Sequence, residues 1–321
     1  MFLEIEHTLS LSYNTYIRES FLELRMQPKT TADQTLQSFV LAVGPPTKIS
    51  RYRDWNGNVV HHFTIVYFHD RIEVVARSAV STHPVAPRLD QVTDARPLPE
   101  PPYPLLDFLA FDGPVRASAA MRKFSQAAAA APTAPLGEQV LACGRHIREH
   151  FSYKKNVTRY DSTTDDFLTL GAGVCQDFTH LMLGLLRLRQ IPCRYVSGYL
   201  HVPAGEGEAA QSHAWVEFYS PTLGWVPFDP THNREVDERY VVVGHGRHYD
   251  DVPPNKGIYR GNADETLRGA VRTQESAPKD ISALHEEMEQ IDVPVYQEIP
   301  GRRRGRLRQA AEEIAAQEQQ Q

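Results

Sequence analysis

The chain has 321 residues, of which 41% are hydrophobic and 23% charged, and a formal net charge of −6. Such a chain can bury two cores and carry a tail, and its mild negative charge gives no overall pull towards nucleic acid. No apolar run is long enough to span a bilayer, and Glu4 and Glu6 stand where a signal peptide carries basic residues. The three cysteines (Cys143, Cys175 and Cys193) are odd in number and make no disulfide framework. A soluble cytoplasmic protein with reduced thiols, and with no membrane or nucleic-acid partner, is therefore expected.

Residues 1–82 read as an all-β domain. The runs Phe2 to Ser12, Ser20 to Met26, Thr35 to Val43, Thr47 to Asp54, Val59 to Phe68 and Ile72 to Val80 are short and separated by turn residues such as Asn56-Gly57. That spacing predicts a small antiparallel sandwich or barrel. Seven prolines between His83 and Pro104 exclude a helix or central strand, so 83–104 is expected to be an extended linker. Helical periodicity follows at Ala117 to Ala130 and Gly137 to Phe151, within a segment, 105–262, expected to form an α+β core with a strand at Arg194 to His201. Residues 263–321 read as a polar, partly helical tail. A helix is expected over Ile281 to Gln290, followed by an Arg-rich stretch from Arg302 to Arg308 that reads as a solvated helix face beside Glu312 and Glu313.

Within the core, three neighbourhoods carry chemistry. Cys175 follows Gly-Ala-Gly-Val and opens a periodic run of Phe178, Leu181, Met182, Leu185 and Leu186, which puts it in the first turn of an amphipathic helix. Backbone N–H groups and the helix dipole there favour a thiolate and can stabilise an oxyanion. Asp177 opposes this as a negative charge, yet suits a first-turn cap. Val216 to Phe218 and Trp225 to Phe228 flank Ser-Pro-Thr-Leu-Gly and read as a hairpin. A turn centred on Pro221 and Thr222 sets His213 directly opposite Asp229, on one face with Trp215 and Trp225, while Val216, Phe218, Val226 and Phe228 face a core. Singly, such a cysteine is ordinarily a buried hydrophobe and such a histidine structural. Together, Cys175, His213 and Asp229 supply a nucleophile, a base and a group that orients the base.

The stretches Gly173 to Asp177, Ser212 to Phe218 and Gly224 to Thr231 resemble the transglutaminase-like superfamily, a branch of the papain-like cysteine enzymes, and are closest to its bacterial cysteine-protease-like members. The likeness extends to Asp54 to Asn58, to Phe151-Ser-Tyr153, to Cys-Gln-Asp-Phe-x-His ending at His180, and to Gly257 to Gly261 beside the substrate cleft. His248 departs from it, standing where an acidic residue is expected, as does Cys193, where a small apolar residue is usual. The resemblance implies a papain-like core of helix on antiparallel sheet behind an N-terminal β-sandwich. It also implies a Cys175-His213-Asp229 triad, no cofactor or metal, and a peptide or protein substrate. The activity implied is that of a cysteine protease, peptidase or amidase working through a thioester. A transglutaminase that passes the acyl group to an amine uses the same triad; a peptide-binding scaffold is the non-enzyme alternative, disfavoured by an intact triad. Hydrolysis is preferred because no acceptor site is identifiable. Nothing after Asp229 is long or acid-patterned enough for the further β-domains and calcium sites expected of animal-type transglutaminases.

Two other clusters have metal-ligating residue types. His146-Ile-Arg-Glu-His150 fits the zinc-peptidase pattern H-x-x-E-H, with Cys143 on the same helix face, but it lacks an evident third ligand, and a solvated helix face is the preferred reading. Gly244 to Pro254 holds His245, His248, Asp250 and Asp251 in a loop that, by resemblance, borders the cleft.

Overall fold

The computed structural model describes residues 1–128, 133–203 and 211–278. Its N-terminal part is built from β1 (Phe2–Ile17), β2 (Glu19–Leu24), β3 (Gln34–Gly44), β4 (Ser50–Arg53), β5 (Val59–Ile65) and β6 (His69–Thr82). Period-two alternation explains the packing: in β1, Leu9 and Leu11 are buried while Ser10 and Ser12 stay half-exposed. Leu22, Leu24, Phe63, Ile65, Ile72 and Val74 join them in one core between two sheets.

The chain then passes through the short α1 (Tyr103–Leu106) to α2 (Ala119–Ala127), α3 (Leu136–His150), β7 (Ser152–Tyr153), α4 (Thr164–Leu170), β8 (Ala172–Gly173) and α5 (Cys175–Leu188). Next come β9 (Cys193–Leu200), β10 (Gln211–Ser220), β11 (Gly224–Asp229), β12 (Arg234–Glu235) and β13 (Tyr240–Gly246), an antiparallel sheet in the order β12-β11-β10-β9-β13. Helix α5 lies on one face of it. Phe178, Leu181, Met182, Leu185 and Leu186 are fully buried in the cluster that also holds Val216, Phe218, Val226 and Phe228. Burying one such side chain stabilises by ~1.5–3 kcal/mol, so the helix that begins at Cys175 is firmly seated on the hairpin that carries His213 and Asp229.

From the sequence, residues 263 onward are expected to be a polar, partly helical tail. The structure instead returns the chain to the N-terminal sandwich. β14 (Asn255–Arg260) pairs with β2 and β15 (Glu265–Glu275) with β1, the latter from Leu3↔Glu275 to Tyr13↔Glu265. The sandwich sheets are therefore ordered β15-β1-β6-β3 and β14-β2-β5-β4. β15 is an edge strand, exposed along nearly its whole length and carrying Arg268 and Arg272. It lacks the apolar alternation by which strands are recognised. The helix expected near Ile281 and the Arg-rich stretch lie outside the described residues.

The proline-rich stretch is extended, as its prolines dictate, but it is not a free tether. Val92 is buried and Leu89 packs against the core. The Asp94 carbonyl accepts from Leu136 N at 2.6 Å, and its carboxylate accepts from the Thr222 hydroxyl at 3.0 Å. The stretch thus straps the start of α3 to the β10–β11 turn. Sandwich and core also share a buried cluster of Leu3, Ile5, Val80, Tyr199, Val241 and Val243.

Candidate active site

Cys175 is half-buried at the first position of α5. Its approach is tight: a Cβ on Gly173 would land on the Asp177 carboxylate and the Phe167 ring, so only glycine fits there. The Asp177 carboxylate accepts from Val174 N and from the Thr158 hydroxyl, both at 2.7 Å. It is therefore a cap that closes the helix end. Burial raises its pKa, and these hydrogen bonds oppose the rise. Gln176 donates to the Tyr160 carbonyl at 2.8 Å and ties the preceding loop to the helix start.

The hairpin register differs from expectation. Val216 lies opposite Phe228 and Ser220 opposite Gly224, so the turn holds three residues rather than two, with Gly224 at φ 77° closing it in the left-handed region. Continued to the strand end, this register sets Asp229 opposite Trp215, and His213 one diagonal step away rather than directly across. The slip is an even number of residues, so all three stay on one face, and a diagonal neighbour is still within reach of long side chains. His213 Nε2 donates to Asp229 Oδ2 at 2.9 Å. The Trp215 ring stacks on His213 with centroids 6.2 Å apart. It occupies space that a Cβ on Gly198, the β9 partner of His213, would invade.

Asp229 is fully buried, and its carboxylate serves five donors. Oδ2 accepts from His213, from His232 Nδ1 at 2.7 Å and from the Tyr240 hydroxyl at 2.7 Å. Oδ1 accepts from Thr231 N at 2.8 Å and His232 N at 3.3 Å. Arg234 Nε donates to the Tyr240 oxygen at 2.9 Å, which aims the Tyr240 proton at Asp229. Sequence reasoning missed His232 and Tyr240. The Asp-Pro-Thr-His order does signal an Asx turn with His232 three residues on; nothing local announces Tyr240, which arrives on β13. Burial works to neutralise both members of the His213–Asp229 pair, but their mutual attraction prevails. The Asp229 carboxyl lies far below the usual carboxylate range, with His232 adding to the effect. His213 is held above its ordinary value by Asp229 and, next, by its hydrogen bond with Cys175. The imidazole is thus hydrogen-bonded to the carboxylate and also acted on by the thiol.

Residues 122–230, which contain all three groups, match the model of the Transglutaminase-like superfamily, and residues 3–81 match that of the Bacterial transglutaminase-like N-terminal region. The chain is 33% identical over 277 residues to Uncharacterized protein ML0607 of Mycobacterium leprae, an alignment spanning 83% of this chain and 95% of that one. This chain belongs to the transglutaminase-like superfamily. A solved structure presented as a candidate cysteine protease from Cytophaga hutchinsonii shares the fold, with a TM-score of 0.72 at 20% identity over 87% of this chain and 92% of that one. A shorter likeness, 30% identity over 130 residues, covers 36% of this chain and 20% of the Protein-glutamine gamma-glutamyltransferase of Pseudomonas aeruginosa.

In a family of cysteine enzymes the other thiols and histidines need an account. Cys143 and Cys193 are fully buried in the core. Burial pushes the Cys193 thiol up to about 11 and raises that of Cys143 as well, as suits inert packing residues. His180 accepts from Tyr249 N at 3.2 Å, and burial lowers its pKa to about 3, so it sits neutral in the wall of the fold. His248 lies 3.5 Å from the Asp112 carboxylate and 3.6 Å from that of Asp250. His245 lies between Glu217, at 3.5 Å, and the Lys29 ammonium, at 3.2 Å, part of the seam between sandwich and core. His146, Glu149 and His150 gather at the end of α3, away from these groups in sequence and on a separate element.

Proposed function

We propose that this protein is a cysteine-dependent amide-bond hydrolase that works through a thioester on peptide or protein substrates. The observation that carries the proposal is His213, held between the Cys175 thiol and the buried Asp229 carboxylate. His213 takes the proton of Cys175 as the nucleophile is activated, and a thiolate results. The thiolate attacks an amide carbonyl carbon, and N–H groups at the start of α5 face the oxyanion. His213 gives its proton to the leaving amine as the C–N bond breaks, leaving the acyl group on Cys175. Water then attacks the thioester, His213 takes its proton, and the acid departs. Asp229 keeps the imidazole oriented and its cationic form stabilised throughout.

A groove of about 550 Å³ between core and sandwich supports a peptide ligand. Tyr160, Tyr249, Ile258 and Leu267 are among its walls, and Tyr160 is tied to Gln176 beside the nucleophile. Such apolar and aromatic walls suit the side chains of an extended substrate. Transfer to an amine is the second reading, favoured by the likeness to the Pseudomonas aeruginosa transferase. Incubation with glutamine-containing peptides and a fluorescent primary amine, read by mass spectrometry, separates the two. New peptide termini or deamidated glutamine as the main Cys175-dependent product is expected. Amine adducts as the main product favour transfer, and identical product patterns from wild type and Cys175→Ala remove the enzyme reading.

A further inference from the structure

We propose that the end of α3 is a divalent transition-metal site, of the class that takes zinc, nickel or cobalt, formed by His146, Glu149 and His150. The site is separate from the proposed triad and independent of the function assigned to it. The ligand atoms of these three residues all lie within 4.8 Å of one another. They stand at i, i+3 and i+4, one turn apart on one helix face.

The tautomers favour metal. His150 Nδ1 lies 2.9 Å from the His146 carbonyl. Against a carbonyl oxygen that nitrogen must donate, so the neutral ring carries its free lone pair on Nε2. A backbone carbonyl that fixes one ring nitrogen is how proteins orient a metal-binding imidazole. His146 Nε2 is screened from solvent and has no hydrogen-bond partner among the described residues. Leaving a buried polar atom unpaired is costly, and a metal bond removes that cost. Glu149 makes no ion pair or hydrogen bond among the described residues either, and it is exposed.

Glu149 and His150 lie on a solvated helix face, as the sequence suggests, but His146 is half-buried. Phe124 of α2 packs on both imidazoles, with centroids 4.4 Å from His146 and 5.6 Å from His150, and the two imidazoles are 4.2 Å apart. Four-coordinate zinc with bonds of ~2.0–2.1 Å needs ligand atoms roughly 3.3 Å apart. The remaining closure is within reach of side-chain rotation at the exposed Glu149 and His150. The positive charge also falls at a helix C-terminus, where the dipole welcomes it. Water fills the remaining position, since the helix supplies three ligands.

The test is titration of the tag-free, full-length protein with Zn²⁺ by calorimetry and with Co²⁺ by visible absorption. The proposal expects one equivalent bound in wild type and in Cys175→Ser, with Co²⁺ bands free of thiolate charge transfer. It expects at least tenfold weaker binding in His146→Gln and His150→Gln, and a smaller loss in Glu149→Gln. A rise in Tm with Zn²⁺ should appear in wild type and vanish in His150→Gln, whose exposed position keeps the variant folded. Unchanged binding in both histidine variants, loss of the equivalent in Cys175→Ser, or no binding by wild type overturns the proposal.

Discussion

Among the described residues, two clusters bring two histidines and a carboxylate within 4.8 Å: His213, Asp229 and His232, and His146, Glu149 and His150. They hold the same kinds of ligand group and differ in what the lone pairs face. At Asp229 the carboxylate is buried and serves five donors from β10, β13 and its own turn. At the end of α3 the carboxylate is exposed, and one imidazole nitrogen has no hydrogen-bond partner among the described residues. A saturated cluster fixes one proton arrangement and suits acid–base work, whereas an unsaturated one offers electron pairs to a ligand. Residue type alone does not assign either role; the hydrogen-bond inventory does.

Substitution should separate the clusters most sharply in turnover. Asp229→Asn is expected to lower turnover ~10²–10⁴-fold, because the amide accepts one imidazole N–H poorly and cannot stabilise the imidazolium. His213→Ala should cost at least as much, while His150→Gln leaves turnover unchanged. Initial rates with matched thermal melts check this; equal losses in the two clusters would erase the distinction. Stability comes next. Asp229→Ala leaves five donors without their acceptor and should cost about 3–5 kcal/mol in urea unfolding, against less than 1 kcal/mol or so for Glu149→Ala on the surface.

The pH dependence follows from the directions of the shifts. His213 titrates above its ordinary 6.5 in the folded chain, so its contribution to stability is complete below pH 6.5 and is lost as pH climbs through the folded value. Asp229 titrates below 3.8, so its contribution is complete above pH 3.8 and is lost as pH falls through the folded value. The stability gap between wild type and His213→Gln should be widest between about pH 4 and 6.5 and narrow on the alkaline side. A gap that widens above neutrality would mean that His213 is neutral in the folded protein. A smaller effect is expected at His232. His232→Gln removes one of three donors on Asp229 Oδ2 and should lower turnover by about tenfold or less, the worth of one hydrogen bond. Loss as large as that of Asp229→Asn would make His232 a full partner in the site. Smallest of all, EDTA should leave turnover unchanged, since neither thiol, imidazole nor carboxylate of the proposed triad calls for an ion.

Much of this was legible before the structure. Strands β1 and β2 alternate along most of their length, and the α5 pattern of Phe178, Leu181, Met182, Leu185 and Leu186 could bury only one way. The shared face of His213 and Asp229 followed from strand periodicity, but the register did not, because a two-residue and a three-residue turn are both compatible with Ser-Pro-Thr-Leu-Gly. β15 was illegible for a different reason: an exposed edge strand takes its order from the backbone of β1, not from apolar side chains of its own. Tyr240 was hidden by distance along the chain. The extended form of 83–104 follows from its prolines, but its role as a strap does not, because prolines report backbone shape, not what Val92 and Asp94 touch.

The central claim is that Cys175 is activated by His213, and its most direct measurement is the rate of iodoacetamide alkylation, mapped peptide by peptide, in wild type and His213→Ala across pH. The account predicts that Cys175 is modified first in wild type, ahead of Cys143 and Cys193, and that its rate at neutral pH falls sharply in His213→Ala. Modification beginning at either buried thiol, or an equal Cys175 rate in both proteins, would contradict it.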